Sequence, residues 1–124
     1  MFADTKTFSA FAVDDLAQAR KFYAETLGLR VSGEDRWIIL HLADGGDVRV
    51  YPRPGHTPAA NTVLMFQVDN IEAAVGELTK RGVRFEHYDG MDQDERGVTR
   101  GGGPIIAAWF KDPAGNILEV MQER

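Results

Sequence analysis

The feature that most constrains this chain is an internal repeat. Phe11-Ala12-Val13-Asp14-Asp15-Leu16-Ala17-Gln18-Ala19 returns 55 positions later as Phe66-Gln67-Val68-Asp69-Asn70-Ile71-Glu72-Ala73-Ala74. Phe, Val, Asp and Ala recur at matching places, and Leu16 is answered by Ile71. After a gap of one residue, Gly28-Leu29-Arg30-Val31 answers Gly82-Val83-Arg84-Phe85. Such self-similarity marks one supersecondary unit used twice. In a chain of 124 residues, two copies fill one domain of ordinary size, residues 1–124.

Both copies carry the same order of local signals. Each opens on an apolar or alternating strand, residues 7–13 and 62–68. Asp14 and Asp15, then Asp69 and Asn70, offer side-chain oxygens to the free amides of a helix start. Leu16, Ala19, Phe22, Tyr23 and Leu27 make an apolar stripe on a helix over about 15–27. Ile71, Ala74, Val75 and Leu78 do the same over about 71–81. Gly28 and Gly82 stop these helices, because a residue without Cβ can turn left-handed. Three short strands then follow each helix, at about 30–33, 36–42 and 47–51, and at about 83–88, 104–111 and 116–122. The turns Asp44-Gly45-Gly46 and Asp112-Pro113-Ala114-Gly115 precede the last strand of each set. The expected class is α+β, with tandem βαβββ modules over about 5–52 and 61–124 and a linker at 53–60. Residues 89–103 read as a loosely held loop, crowded with Asp89, Asp92, Asp94 and Glu95 and ending on a Gly101-Gly102-Gly103 hinge suited to a lid.

Composition narrows the function. Lys and Arg total 14 against 19 Asp and Glu, and no basic block offsets the net charge of −5, which argues against a nucleic-acid partner. There is no cysteine, so thiolate chemistry and cysteine-held metal are excluded. The longest apolar run, residues 105–110, is too short to span a bilayer, and the start of the chain lacks the pattern of a signal peptide. The expectation is a cytoplasmic protein that engages neither membrane nor nucleic acid.

Two segments carry a resemblance. Val13-Asp14-Asp15-Leu16 through Lys21-Phe22-Tyr23 to Leu27-Gly28-Leu29, and Trp109-Phe110-Lys111-Asp112-Pro113-Ala114-Gly115-Asn116-Ile117-Leu118-Glu119, are similar to the vicinal oxygen chelate superfamily. That superfamily includes glyoxalase I, extradiol dioxygenases, fosfomycin resistance enzymes and bleomycin resistance proteins. The resemblance implies that the two modules form a curved mixed sheet with a central cleft, and it implies a homodimer. Metal-dependent members carry His, Gln or Glu on the first and last strands of each module. Carried over, those positions are Phe8, Val50, Val63 and Glu119, with Tyr51 entering if the fourth strand slips by one. One of the four can bind a metal, which needs several N or O donors in one shell. None of His41, His56 and His87 occupies a ligand position. No metal or other cofactor is therefore expected.

Strand alternation sketches the cleft. With Glu119 inward, Ile117 and Met121 follow, and through the repeat so do Phe8, Ala10, Val48, Val50, Val63, Met65 and Gln67. Trp37, His41, Tyr88 and Trp109 are candidates for its rim or wall. An apolar hollow with Gln67 and Glu119 as polar handles suits a small molecule. The leading expectation is a metal-independent small-molecule-binding protein of the glyoxalase/bleomycin resistance type, serving sequestration or resistance. The alternatives are a metal-dependent lyase or dioxygenase, an enzyme using Glu119 as general base, and a structural dimer without a ligand. The sequence leaves open whether any reaction is catalysed.

Overall fold

A computed structural model describes every residue except Gly102, which lies inside the expected glycine hinge. The chain divides into two compact units, Met1–Pro58 and Ala59–Arg124. In each, a helix packs on one face of a sheet, and the modules are βαβββ-like.

The first unit runs β1 (Ser9–Val13), α1 (Leu16–Lys21), β2 (Arg30–Gly33), β3 (Ile38–His41) and β4 (Asp47–Pro52). The strand order is β1-β4-β3-β2, with β1 parallel to β4 and the other pairs antiparallel. Asp15 caps α1 by accepting from the Gln18 amide at 3.0 Å. The helix departs from the regular run expected to residue 27. It continues as a single π turn, Phe22–Thr26, in which the Leu27 amide donates to the Phe22 carbonyl at 2.9 Å. Gly28, at φ 73°, then reverses the chain, and the Leu29 amide closes the end on the Tyr23 carbonyl. Tyr23 is fully buried, 5.9 Å from the Phe11 ring, with Phe22 edge-on beside it. Phe11, Val13, Ile38, Leu40, Val48 and Val50 are buried on the sheet. Each such side chain contributes about 1.5–3 kcal/mol by leaving water.

The second unit runs β5 (Thr62–Gln67), α2 (Ile71–Lys80), β6 (Ile105–Lys111) and β7 (Ile117–Glu123), in the order β5-β7-β6. Asn70 caps α2 through the Ala73 amide at 3.1 Å, and Gln122 takes the Ile71 amide at 2.8 Å. The helix covers a core of Ile71, Val75, Val83, Phe85, Ala108, Phe110, Leu118 and Val120.

The strand expected over 83–88 does not form a ladder. It makes a single bridge, Phe85 to Phe110, and the Glu86 amide donates to the Trp109 carbonyl. The reason is Gln93, whose side chain accepts from the Tyr88 amide at 2.7 Å and donates to the Glu86 carbonyl at 2.9 Å. It also donates to Gly97 at 2.8 Å. These bonds replace sheet pairing.

The following segment is not the loosely held loop that its acidic residues suggest. Asp94 accepts from the amides of Arg96 and Val98 at 2.9 and 3.0 Å, and Arg100 and Arg96 tie the segment to Asp94 and Glu72. Val98 is buried, and Thr99 pairs with Ala107. Of the carboxylates expected to repel one another, Asp94 is offset by Arg100, and Arg96 and Arg100 anchor the stretch to Glu72 of the helix. No helix among the described residues is long and apolar enough to cross a membrane.

Candidate functional site

Each sheet has one face under its helix and one face turned away from it. In the second unit, the register pairs Met65 with Glu119, Gln67 with Met121, and Trp109 with Glu119. Alternation therefore gathers Met65, Gln67, Trp109, Ile117, Glu119 and Met121 on the face away from α2. The grouping of Met65, Gln67, Ile117, Glu119 and Met121 follows the alternation read from sequence. Glu119 is 7% exposed, and its Oε1 accepts from the Trp109 indole at 2.8 Å and more weakly from the Thr62 hydroxyl at 3.4 Å. Among the described residues of this unit no lysine or arginine pairs with it. A buried carboxylate held by neutral donors is costly unless something else meets it.

The Thr62 contact arises from a bulge. Two residues of β5, Thr62 to Leu64, span one step of β7, Ile117 to Leu118, so Val63 is the extra residue. Tyr88 lies beside this group, its ring edge-on to Trp109 at 6.0 Å. Its hydroxyl is buried and lacks a hydrogen-bond partner. Burial first, and the Glu86 charge second, push this phenol above its ordinary range.

The first unit requires a correction. Val48 and Val50 do not share a face with Phe8. Val50 is fully buried with Ile38 and Leu40 on the helix side, and Asp47, Arg49 and Tyr51 alternate to the other. The shift originates in the turns. Gly115 holds φ 87° and its amide donates to Asp112; Gly45, not Gly46, holds φ 87° and donates to Leu42 in the same way. Leu42 then closes on Gly46 as Asp112 closes on Asn116. Counted from the true equivalent, the residue matching Glu119 is Arg49. The sheet agrees, since Ala10 pairs with Arg49 as Met65 pairs with Glu119.

Arg49 was not among the residues singled out from sequence, although the alternation of Asp47, Arg49 and Tyr51 with Val48 and Val50 carried the signal. Its guanidinium lies 4.7 Å from the Phe8 ring and 4.7 Å from the Trp37 ring. Nearby, Asp47 accepts from Lys6 at 3.0 Å and bonds His41 at 3.0 Å, and Ser32 bonds the far nitrogen of His41 at 2.7 Å. Lys6 first, and His41 second, hold the Asp47 carboxyl below its ordinary range. The structure thus gathers Phe8, Trp37 and His41 on one face of the first unit. It gathers Met65, Gln67, Trp109, Glu119 and Met121 on one face of the second, with Tyr88 against Trp109.

Residues 8–120 match the model of the Glyoxalase/Bleomycin resistance protein/Dioxygenase superfamily. The chain belongs to this superfamily. Solved structures repeat the fold at low identity. A protein from Bacillus anthracis is 19% identical over 100% of both chains, with a TM-score of 0.72. The glyoxalase family protein from Enterococcus faecalis is 23% identical, covers 98% of this chain and 99% of its own, and has a TM-score of 0.67. TnmS3, an antibiotic binding protein from Streptomyces sp. CB03234, is 20% identical over 98% of both chains, with a TM-score of 0.66. No curated protein matches.

The superfamily includes metal enzymes, and the donors here do not suit a metal. At the corresponding positions the first unit offers Phe8, just before β1, and Arg49 on β4, an aromatic ring and a permanent cation. The second offers Glu119, whose Oε1 is already engaged, beside Val63 and the neutral Thr62 hydroxyl. Among the described residues no group of three or more His, Asp or Glu side chains is placed to hold a metal ion. A first-row divalent ion needs several N or O donors that this set does not supply.

Proposed function

We propose that this protein binds a small organic molecule without a metal and acts by sequestration, in the manner of the bleomycin resistance branch of its superfamily. The observation that carries this reading is Arg49 at the counterpart of Glu119, with Phe8 immediately before the first strand. In place of metal donors, the first unit carries a cation beside aromatic rings and the second a carboxylate. A cation beside aromatic rings suits a ligand's negative charge and flat surface, and a carboxylate suits a hydrogen-bond donor or a cation. Exposed Tyr51 and Trp37 supply flat apolar contact on the first unit, and exposed Met65 supplies adaptable contact on the second. The fold shared with an antibiotic binding protein supports the same reading.

The test is a thermal-shift panel of planar antibiotics and aromatic acids, with metal content measured on the purified protein. A ligand that raises Tm and is recovered chemically unchanged supports the reading. Stoichiometric metal together with turnover of an added compound overturns it. As part of the same reading we place the chain in a homodimer. Light scattering at micromolar concentration should give twice the chain mass, and a mass near 13.8 kDa overturns that assembly.

A further inference from the structure

We infer that Arg49, braced by Phe8 and Trp37, is a recognition site for a carboxylate carried on a flat apolar body. This names the ligand class within the small-molecule-binding reading and rests on it. Phe8 immediately precedes β1 and Trp37 immediately precedes β3, the two strands that flank β4, so the rings reach Arg49 from either side. Two ring centroids at 4.7 Å restrict the guanidinium without giving it a hydrogen-bond acceptor.

Among the described residues of this unit no such partner stands. The Arg49 Nε is buried and without a hydrogen bond. Among the described residues of this unit no carboxylate pairs with the guanidinium; Asp47, two residues away on the same face, is engaged by Lys6 and His41 instead. Lys6 also lies 5.1 Å from the Phe8 ring, so Lys6 and Arg49 outweigh Asp47 and leave the patch positive in a chain of net charge −5. An unpaired cation with its side-chain freedom already restricted is prepared for a bidentate oxyanion, and the rings beside it extend the contact to an aromatic body.

The probe is sodium benzoate, with neutral benzamide as its uncharged counterpart, titrated at constant ionic strength into protein labelled with nitrogen-15. Benzoate should shift the Arg49 Nε–H resonance saturably and quench tryptophan fluorescence. Benzamide should bind about tenfold more weakly or worse, because it lacks the charge-assisted hydrogen bonds. Arg49→Met should lose benzoate binding by about tenfold or more, and Arg49→Lys should recover part of it by charge without the fork. Circular dichroism and urea unfolding establish that the variants fold. Equal binding of benzoate and benzamide, unaffected by Arg49→Met, overturns the carboxylate site while leaving small-molecule binding intact. No binding of benzoate overturns it as well, and the wider reading is then decided by the ligand panel alone.

Discussion

Glu119 and Asp47 are carboxylates with opposite surroundings, and each makes a prediction. Glu119 is buried and, among the described residues of its unit, takes hydrogen bonds from the indole of Trp109 and the hydroxyl of Thr62. Trp109→Phe removes the shorter bond and leaves a desolvated charge, so it should cost about 1–3 kcal/mol in urea unfolding. Glu119→Gln keeps an acceptor without the charge and should cost less; a larger loss than for Trp109→Phe would show that the charge itself is satisfied by something stronger. Asp47 is held below the ordinary carboxyl range by Lys6 and His41. Its ion pairs therefore contribute fully above the unfolded pKa of about 4, and the contribution disappears as pH falls through the lower, folded value. Acid unfolding of Asp47→Asn should accordingly show a smaller loss of stability than the parent as pH falls below about 4. Identical acid limbs would reject the pairing. Glu119 was legible from sequence because a buried-strand motif follows a recognisable turn. Arg49 was not, because its register hangs on which of Gly45 and Gly46 adopts positive φ, and residue identity is the same at both.

At the level of elements, the helices, caps and most strands follow from local pattern: Asp15 and Asn70 cap where a side-chain oxygen precedes an apolar stripe. What escaped the sequence reading depends on partners distant along the chain or in the third dimension. The segment 83–88 alternates like a strand, yet Gln93 takes its backbone groups before the sheet can. The segment after it looks repulsive when its acids are counted alone, but Arg96 and Arg100 return to Glu72 and Asp94. Gln93→Ala should leave the Tyr88 amide and the carbonyls of Glu86 and Gly97 without their partners. The expected cost is about 1–3 kcal/mol, less wherever water replaces a bond. Hydrogen exchange provides a local readout: the Tyr88 amide should exchange faster in the variant while the β6 and β7 amides keep their order. Unchanged exchange at Tyr88 would mean that Gln93 is an ornament of this turn and that the strand fails for another reason.

For the whole molecule, the repeat gives two βαβββ-like modules whose corresponding strand positions have diverged into different chemistry. Arg49 stands where the second module has Glu119, so duplication has supplied a cation and a carboxylate rather than a matched pair of ligands. A chain built this way should be indifferent to divalent metal. Ligand linkage sets the scale of the test: a stoichiometric site at a hundredfold excess of metal over Kd stabilises the native state by about 2.7 kcal/mol. For a chain of this size that corresponds to a rise in Tm of roughly 10 °C. Zn²⁺, Ni²⁺, Mn²⁺ and Mg²⁺, each added at millimolar concentration, should move Tm by no more than about 1 °C, and EDTA should leave it where it began. The discriminating variant is Glu119→Ala, since Glu119 is the sole acidic side chain at these strand positions. A rise of several degrees with one metal, reversed by EDTA and abolished by Glu119→Ala, would restore a metal centre built on Glu119. A rise that survives Glu119→Ala would instead place the ion on surface carboxylates, and the metal-free reading of the two sheet faces would stand.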